Sequence, residues 1–371
     1  MVNMYDDIYS FAEMNRLGFD ASENIHMRIN LVYYKKRLAK IMNEVKKRAI
    51  KNKCYQCGKE ITSLCNSHSI PAFILRNIAY KGELYNINKF IGSPLMSNVN
   101  GVNNSGTFRL ICRECDQTIF GEYENPCNYE FEPTTKMLVQ IALKNYLMKI
   151  SKRIIEIKIY NKLLEELPNE KETFNEKIRI SKVDIKEYQD DFAKVKRLLN
   201  MNLNGEYYLI YHKVLDYVVP FASQDGIVLF CDFEDNIINN IYSNFDNEKM
   251  HELQVCVFPM GKKSVVLLFI DSDIKGYRKF YKQFRKLSDN DKLAAINYIA
   301  FAYSENILIS KNINETVLED KNFADVINQT SDILTNSLNI DVTKVALKGY
   351  TFKKMHDIPN LLSEEYSITN I

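Results

Sequence analysis

Two short cysteine pairs constrain this chain more than any other feature. The first is Cys54-Tyr55-Gln56-Cys57, followed by Gly58; the second is Cys112-Arg113-Glu114-Cys115. Two residues between thiolates let both sulfurs of a tight turn face one ion, and two such turns complete a tetrahedron. Gly58 suits the knuckle, because glycine tolerates positive φ. The spacing therefore predicts one structural zinc ion on Cys54, Cys57, Cys112 and Cys115. Residues 58–111 separate the pairs, an insert longer than that of a zinc ribbon, so it must form structure of its own. The competing readings are four unrelated buried thiols or a redox CxxC, and neither pair sits in a clear βαβ pattern. Cys65 and Cys127 are close enough in sequence to act as substitute ligands, whereas Cys231 and Cys256 lie in apolar strand runs and read as core.

The cysteine reading depends on compartment. The N-terminal MVNMYDDIYS carries two acids and no apolar core of a signal peptide. The longest strongly apolar run, Ser264–Ile270, is of strand length. A cytoplasmic, reducing location with no membrane span is the expectation, which favours metal over disulfides. Hydrophobic residues make up 46% and charged residues 26% of 371, enough to bury a sizeable core. The net charge of +2 excludes a globally basic nucleic-acid binder but not a local basic patch.

Three regions follow. Residues 1–53 read as a basic helical segment. Leu31, Tyr34, Leu38, Ile41 and Val45 form its apolar stripe, with Lys and Arg crowding Lys35–Lys53. That charge is either a solvated face or a phosphate-contacting helix. Residues 54–132 form the zinc module, with Ile91–Gly106 loop-like, Thr107–Ile111 a short strand and Asp116–Glu124 a short helix. Residues 133–371 read as an α+β domain. Thr134–Ile150 is a core helix, with Met137, Leu138, Ile141, Ala142, Tyr146 and Leu147 on one side; Ile155–Met201 is a charged helical hairpin turning near Pro168. Strand patterns follow at Glu206–Val219, Gly226–Phe233, Glu252–Met260 and Ser264–Asp271, the last two joined by a hairpin at Met260–Lys263. Helices return at Ile274–Leu287 and Asp289–Tyr303, the latter capped by Ser288. The fold class is α+β: an N-terminal helix, a treble-clef or ββα-metal zinc module, then a helical segment and an antiparallel sheet with flanking helices.

Between the cysteine pairs lies Ser67-His68-Ser69-Ile70-Pro71. A CxxC, then Ser-His-x-Ile-Pro, an Asn-bearing loop and a strand ending in CxxC resembles the zinc-bearing branch of the HNH (His-Me finger) endonucleases. More narrowly, it is similar to a bacterial group with SHxIP, a second CxxC followed by an acid, and a later Glu. The match covers about residues 54–150. The resemblance implies that His68 is the general base that activates water, suited to the task by an imidazole pKa near 6.5. It implies that Asn98, Asn100, Asn103 or Asn104 orients the imidazole, with Asn104 carried forward. Asp116 would bind a catalytic Mg²⁺ or Mn²⁺, helped by Glu122 or Glu124. Lys59, Arg76 and Arg109, with the basic helix, would meet DNA phosphates. The chain departs from the pattern in having Ser67 where Asp or His precedes the catalytic His, and in lacking the final His.

Two functions remain open at this point. One is a metal-dependent HNH-like endonuclease cutting DNA in a bacterial defence or mobile-element system. The other is a non-catalytic zinc-stapled protein that binds nucleic acid or protein. A protein partner through residues 133–371 and self-association are left open. Acids ending apolar strands, Asp271 and Asp273 after one and Asp232, Glu234 and Asp235 after another, read as surface features. His26, His212, His251 and His356 stand alone as surface or core residues. No P-loop, GxGxxG or GxSxG is present.

Overall fold

The apolar alternation in residues 252–271 builds the centre of a sheet whose two faces are both covered. The computed structural model describes residue 44 and residues 53–86, 99–166, 171–201, 205–241, 249–328 and 342–368. The basic helix expected before residue 53, the turn at Pro168 and Asn98 lie outside the described residues.

The elements run β1 (Ser67–His68), α1 (Ala72–Ile78), β2 (Glu83–Asn86), β3 (Val99–Gly101), β4 (Thr107–Phe108), α2 (Arg113–Ile119), α3 (Thr135–Glu166) and α4 (Lys171–Leu198). Next come β5 (Tyr207–Leu215), β6 (Phe221–Ile227), β7 (Leu253–Met260), β8 (Lys263–Asp271), α5 (Arg278–Phe284) and α6 (Asp289–Tyr303). The chain continues through β9 (Ile307–Ser310), α7 (Glu315–Leu318), α8 (Lys321–Asn328) and α9 (Val342–Tyr350). The fold is α+β, with every strand pair among the described residues antiparallel.

Among the described residues, seven strands form one sheet in the order β3-β2-β9-β6-β7-β8-β5, and β1 and β4 form a separate two-stranded ladder. The β7–β8 hairpin forms as expected, with Met260 paired to Lys263 and Gly261 at φ +58°. Successive residues of these strands enter opposite layers. Cys256, Phe258, Val265, Leu267 and Phe269 pack toward α3 and the cysteine module. Val255, Val257, Val266, Leu268 and Ile270 pack toward α5, α6, α8 and the C-terminal segment. The sheet is thus the middle of three layers.

Several sequence expectations shift: α2 spans Arg113–Ile119 rather than Asp116–Glu124, and β3 lies within the stretch expected as a loop. Residues 135–166 make one continuous helix rather than two, because neither Pro nor Gly interrupts them. The strand expected at Gly226–Phe233 is instead β6, Phe221–Ile227. Leu229, Phe230 and Cys231 are apolar because they are buried beyond the ladder, while Ser223, Gln224 and Asp225 are buried within it. The insert between the cysteine pairs does not fold alone: its β2 pairs with β9, Tyr85 opposite Ile309. The sheet therefore runs across residue 132, and strands from both sides share it.

A candidate zinc centre and the site beside it

The first cysteine pair forms a knuckle. Gly58 at φ +73° lets its N–H return to the Cys54 carbonyl at 2.8 Å, and the Tyr55 N–H reaches Leu110 across the module at 2.9 Å. The second pair opens α2. Cys112 is its N-cap, and its sulfur accepts from the Cys115 N–H at 3.5 Å. The knuckle, the β1/β4 ladder and α2 make the expected zinc-module arrangement in miniature. Helix α4 buttresses it: Phe192 meets the Tyr55 ring edge-on at 5.2 Å, and the Lys196 ammonium donates to the Gln56 carbonyl at 2.5 Å.

The four sulfurs converge. All lie within 4.8 Å of one another, with Cys54 and Cys115 3.9 Å apart and Cys57 and Cys112 4.0 Å apart. Zinc–sulfur bonds of about 2.3 Å imply tetrahedral edges of about 3.8 Å, so the donor set fits zinc. Backbone N–H groups also favour thiolate. Burial raises the Cys54 thiol, yet N–H donors from Cys57 and Cys112 outweigh it and bring it down to about 7. Burial pushes Cys115 up, helped by its thiol neighbours, so this crowded set needs a cation to hold four sulfurs as thiolates. Cys65 and Cys127 do not join the group. Cys65 is half-buried, its thiol pushed up to about 12 by burial, and Cys127 is exposed.

Beside this frame, β1 presents Ser67 and His68. The His68 imidazole is half-buried, and its Nε2 lies 3.1 Å from the Val102 carbonyl. A carbonyl only accepts, so Nε2 carries the proton and Nδ1 is the basic nitrogen of the neutral ring. Burial holds the imidazole below its usual pKa, and the nearby Lys144 and Arg76 charges act in the same direction. The main-chain carbonyl of Val102 fills the orienting role expected of an asparagine. Asn103 and Asn104 are exposed, and the Asn103 carbonyl instead accepts from Asn66 at 2.9 Å.

The residue that dominates the site is one the sequence reading passed over. Lys144 of α3 is fully buried, and its ammonium donates to Asp116 at 2.8 Å, Ser67 at 3.0 Å and Glu124 at 3.0 Å. The Ser67 hydroxyl donates in turn to Asp116 at 2.6 Å, and the Phe120 ring covers the ammonium at 3.8 Å. Ser67, Asp116 and Glu124 do converge on one point, as a catalytic metal would require, but a lysine nitrogen holds that point. Mg²⁺ needs near-octahedral oxygens at about 2.0–2.1 Å, and an ammonium among the same oxygens repels it. The residues do not fit a second divalent ion while Lys144 is there. Glu122 stays outside, paired with Lys136 at 2.8 Å. Lys144 was legible in principle: it lies three residues from both Ile141 and Leu147 on the buried face of α3, a position where lysine needs partners.

Lys59 meets Glu114 in an exposed pair at 3.4 Å, while Arg76 and Arg109 are exposed at the surface of the module. The acids at strand ends are held by local partners, and Asp232 is buried rather than at the surface. Lys194 bridges Asp271 at 2.6 Å and Asp273 at 2.8 Å, and Asp232 accepts from the Glu234 and Asn236 N–H groups of its own turn. Among the described residues no helix is long and apolar enough to cross a membrane. Comparison with protein-family models, curated proteins and solved structures finds no match.

Proposed function

We propose that this chain is a zinc-stapled binding protein whose HNH-like centre is closed by an internal lysine, and that its module contacts nucleic acid without cutting it. The Lys144 ammonium amid Ser67, Asp116 and Glu124 carries this reading. A buried cation with three oxygen partners and an aromatic lid already occupies the carboxylates that a catalytic ion would need. Exposed Arg76, Arg109 and Arg113 supply phosphate-directed charge around the zinc frame.

The second reading is the metal-dependent endonuclease, and one observation favours it. His68 is held as the Nε2–H tautomer and kept neutral by burial, which is the state a general base requires. That reading needs Lys144 to leave its three partners when a divalent ion enters.

Incubation of the full chain with single- and double-stranded DNA and RNA, in Mg²⁺ or Mn²⁺, separates the two. The binding reading expects retention without cleavage, weakened by Arg76→Glu with Arg109→Glu. Cleavage by the wild type that His68→Ala abolishes would overturn it and establish the nuclease.

A further inference from the structure

Across the sheet from the zinc module, α5 lies in a stretch whose charge differs from the rest of the chain. Lys275, Arg278, Lys279, Lys282, Arg285 and Lys286 all fall within residues 274–288, which contain no Asp or Glu. The whole chain is nearly balanced, 49 basic to 47 acidic, so the segregation is local. Tyr277, Phe280 and Phe284 form the buried stripe of this segment, which turns all six cations outward.

A row of surface cations is most often just solvated, but two observations set this one apart. On α3 and α4 several cations are matched: Arg153 with Asp184 and Glu156, Lys162 with Glu165, Arg179 with Glu176. Here Lys279 meets Glu234 at 3.1 Å, whereas Arg278, Lys282, Arg285 and Lys286 make no ion pair with a described carboxylate. These four side chains are exposed and so accessible to an external anion. Second, an aromatic pair lies alongside. Tyr208 on the edge strand β5 is 44% exposed and meets Tyr281 of α5 edge-on at 5.1 Å, and the Arg285 guanidinium lies 5.5 Å from the Tyr281 ring. A large aromatic left in water beside guanidinium and ammonium groups that no described carboxylate pairs offers a face for an unpaired base next to charge for its phosphates.

We infer that the α5 face, with Tyr208 and Tyr281, is a docking surface for single-stranded nucleic acid, its cations following the backbone and its tyrosines stacking on bases. A duplex keeps its bases inside and gains nothing from the tyrosines, so the chemistry selects single strands. The inference does not rest on the reading of the zinc module, which lies on the other side of the sheet.

The test is fluorescence anisotropy of the full chain with a labelled mixed-sequence single strand, as DNA and as RNA, and with the matching duplex, over a range of salt. Lys282→Glu combined with Arg285→Glu is expected to weaken single-strand binding about tenfold or more and to flatten its salt dependence. Tyr208→Ala is expected to weaken it about fivefold and leave the salt slope unchanged. Loss in these variants, with Arg76→Glu and Arg109→Glu still binding the single strand, supports the inference whatever the zinc module proves to do. Single-strand affinity unchanged by the α5 charge reversals overturns it. So does duplex binding as tight as single-strand binding and indifferent to Tyr208→Ala. Association with phosphatidylserine vesicles in the absence of any oligonucleotide binding also overturns it.

Discussion

Lys144 shows how a single side chain redefines a site. Its positive charge is stable in the interior only because Asp116, Glu124 and Ser67 surround it. Replacing it with Met leaves two partly buried carboxylates facing each other. Lys144→Met should lower stability by about 3–5 kcal/mol in urea denaturation, with Asp116→Asn in the same chain recovering part of the loss. The same variant removes the ammonium from the oxygens, so calorimetric titration with Mn²⁺ should show an added weak site absent from the wild type. His68 makes a pH prediction. Burial lowers its folded pKa below the usual 6.5, so the unfolded chain binds a proton first as pH falls. Its contribution is whole above about pH 6.5 and is lost as pH falls through the folded value. Proton NMR should place the imidazole titration below 6.5, and His68→Asn should flatten the stability loss on the acid side.

At the scale of elements, caps and close approaches decide what holds. Ser288 was legible as the cap of α6, and its hydroxyl does accept from the Asp291 N–H at 3.2 Å. Ser288→Ala should cost about 1 kcal/mol, read as a lowered thermal midpoint. Strand β6 was illegible because it buries polar residues on a sheet covered from both sides. Asn145 of α3 accepts from Gln224 at 3.0 Å and donates to Gln254 at 2.8 Å, and Lys149 pairs with Glu252 at 2.5 Å. Polar pattern reads as surface from sequence, and only the facing helix makes these positions interior. Gly226 lies in this network: an added Cβ would sit 2.2 Å from Glu252 Oε2 and 2.9 Å from Gln254 Nε2. Gly226→Ala should therefore destabilise by about 1–3 kcal/mol in the same denaturation measurement.

Over the whole molecule, the zinc module and the sheet are one structure. Strand β2 pairs with β9, the Ser69 hydroxyl donates to Asn306 at 2.8 Å, and α4 braces the knuckle through Lys196. Chelation of zinc should therefore lower the thermal midpoint of the entire chain. In hydrogen exchange it should strip protection from residues 84–86 and 307–310 before β7 and β8. The sequence alone determined the four cysteines that converge, the β7–β8 hairpin, the helical character of residues 155–166 and 171–198 and the capped α6, because each follows from spacing or local periodicity. It also marked His68 and Asp116 as neighbours of the zinc frame. Tertiary structure alone decided that β2 would join β9 some 220 residues later, that Val102 rather than an asparagine would hold His68, and that Lys144 would enter the carboxylate pair. Those outcomes depend on which surfaces meet across the core, and burial of charge and completion of a sheet edge are not written in the local order of residues.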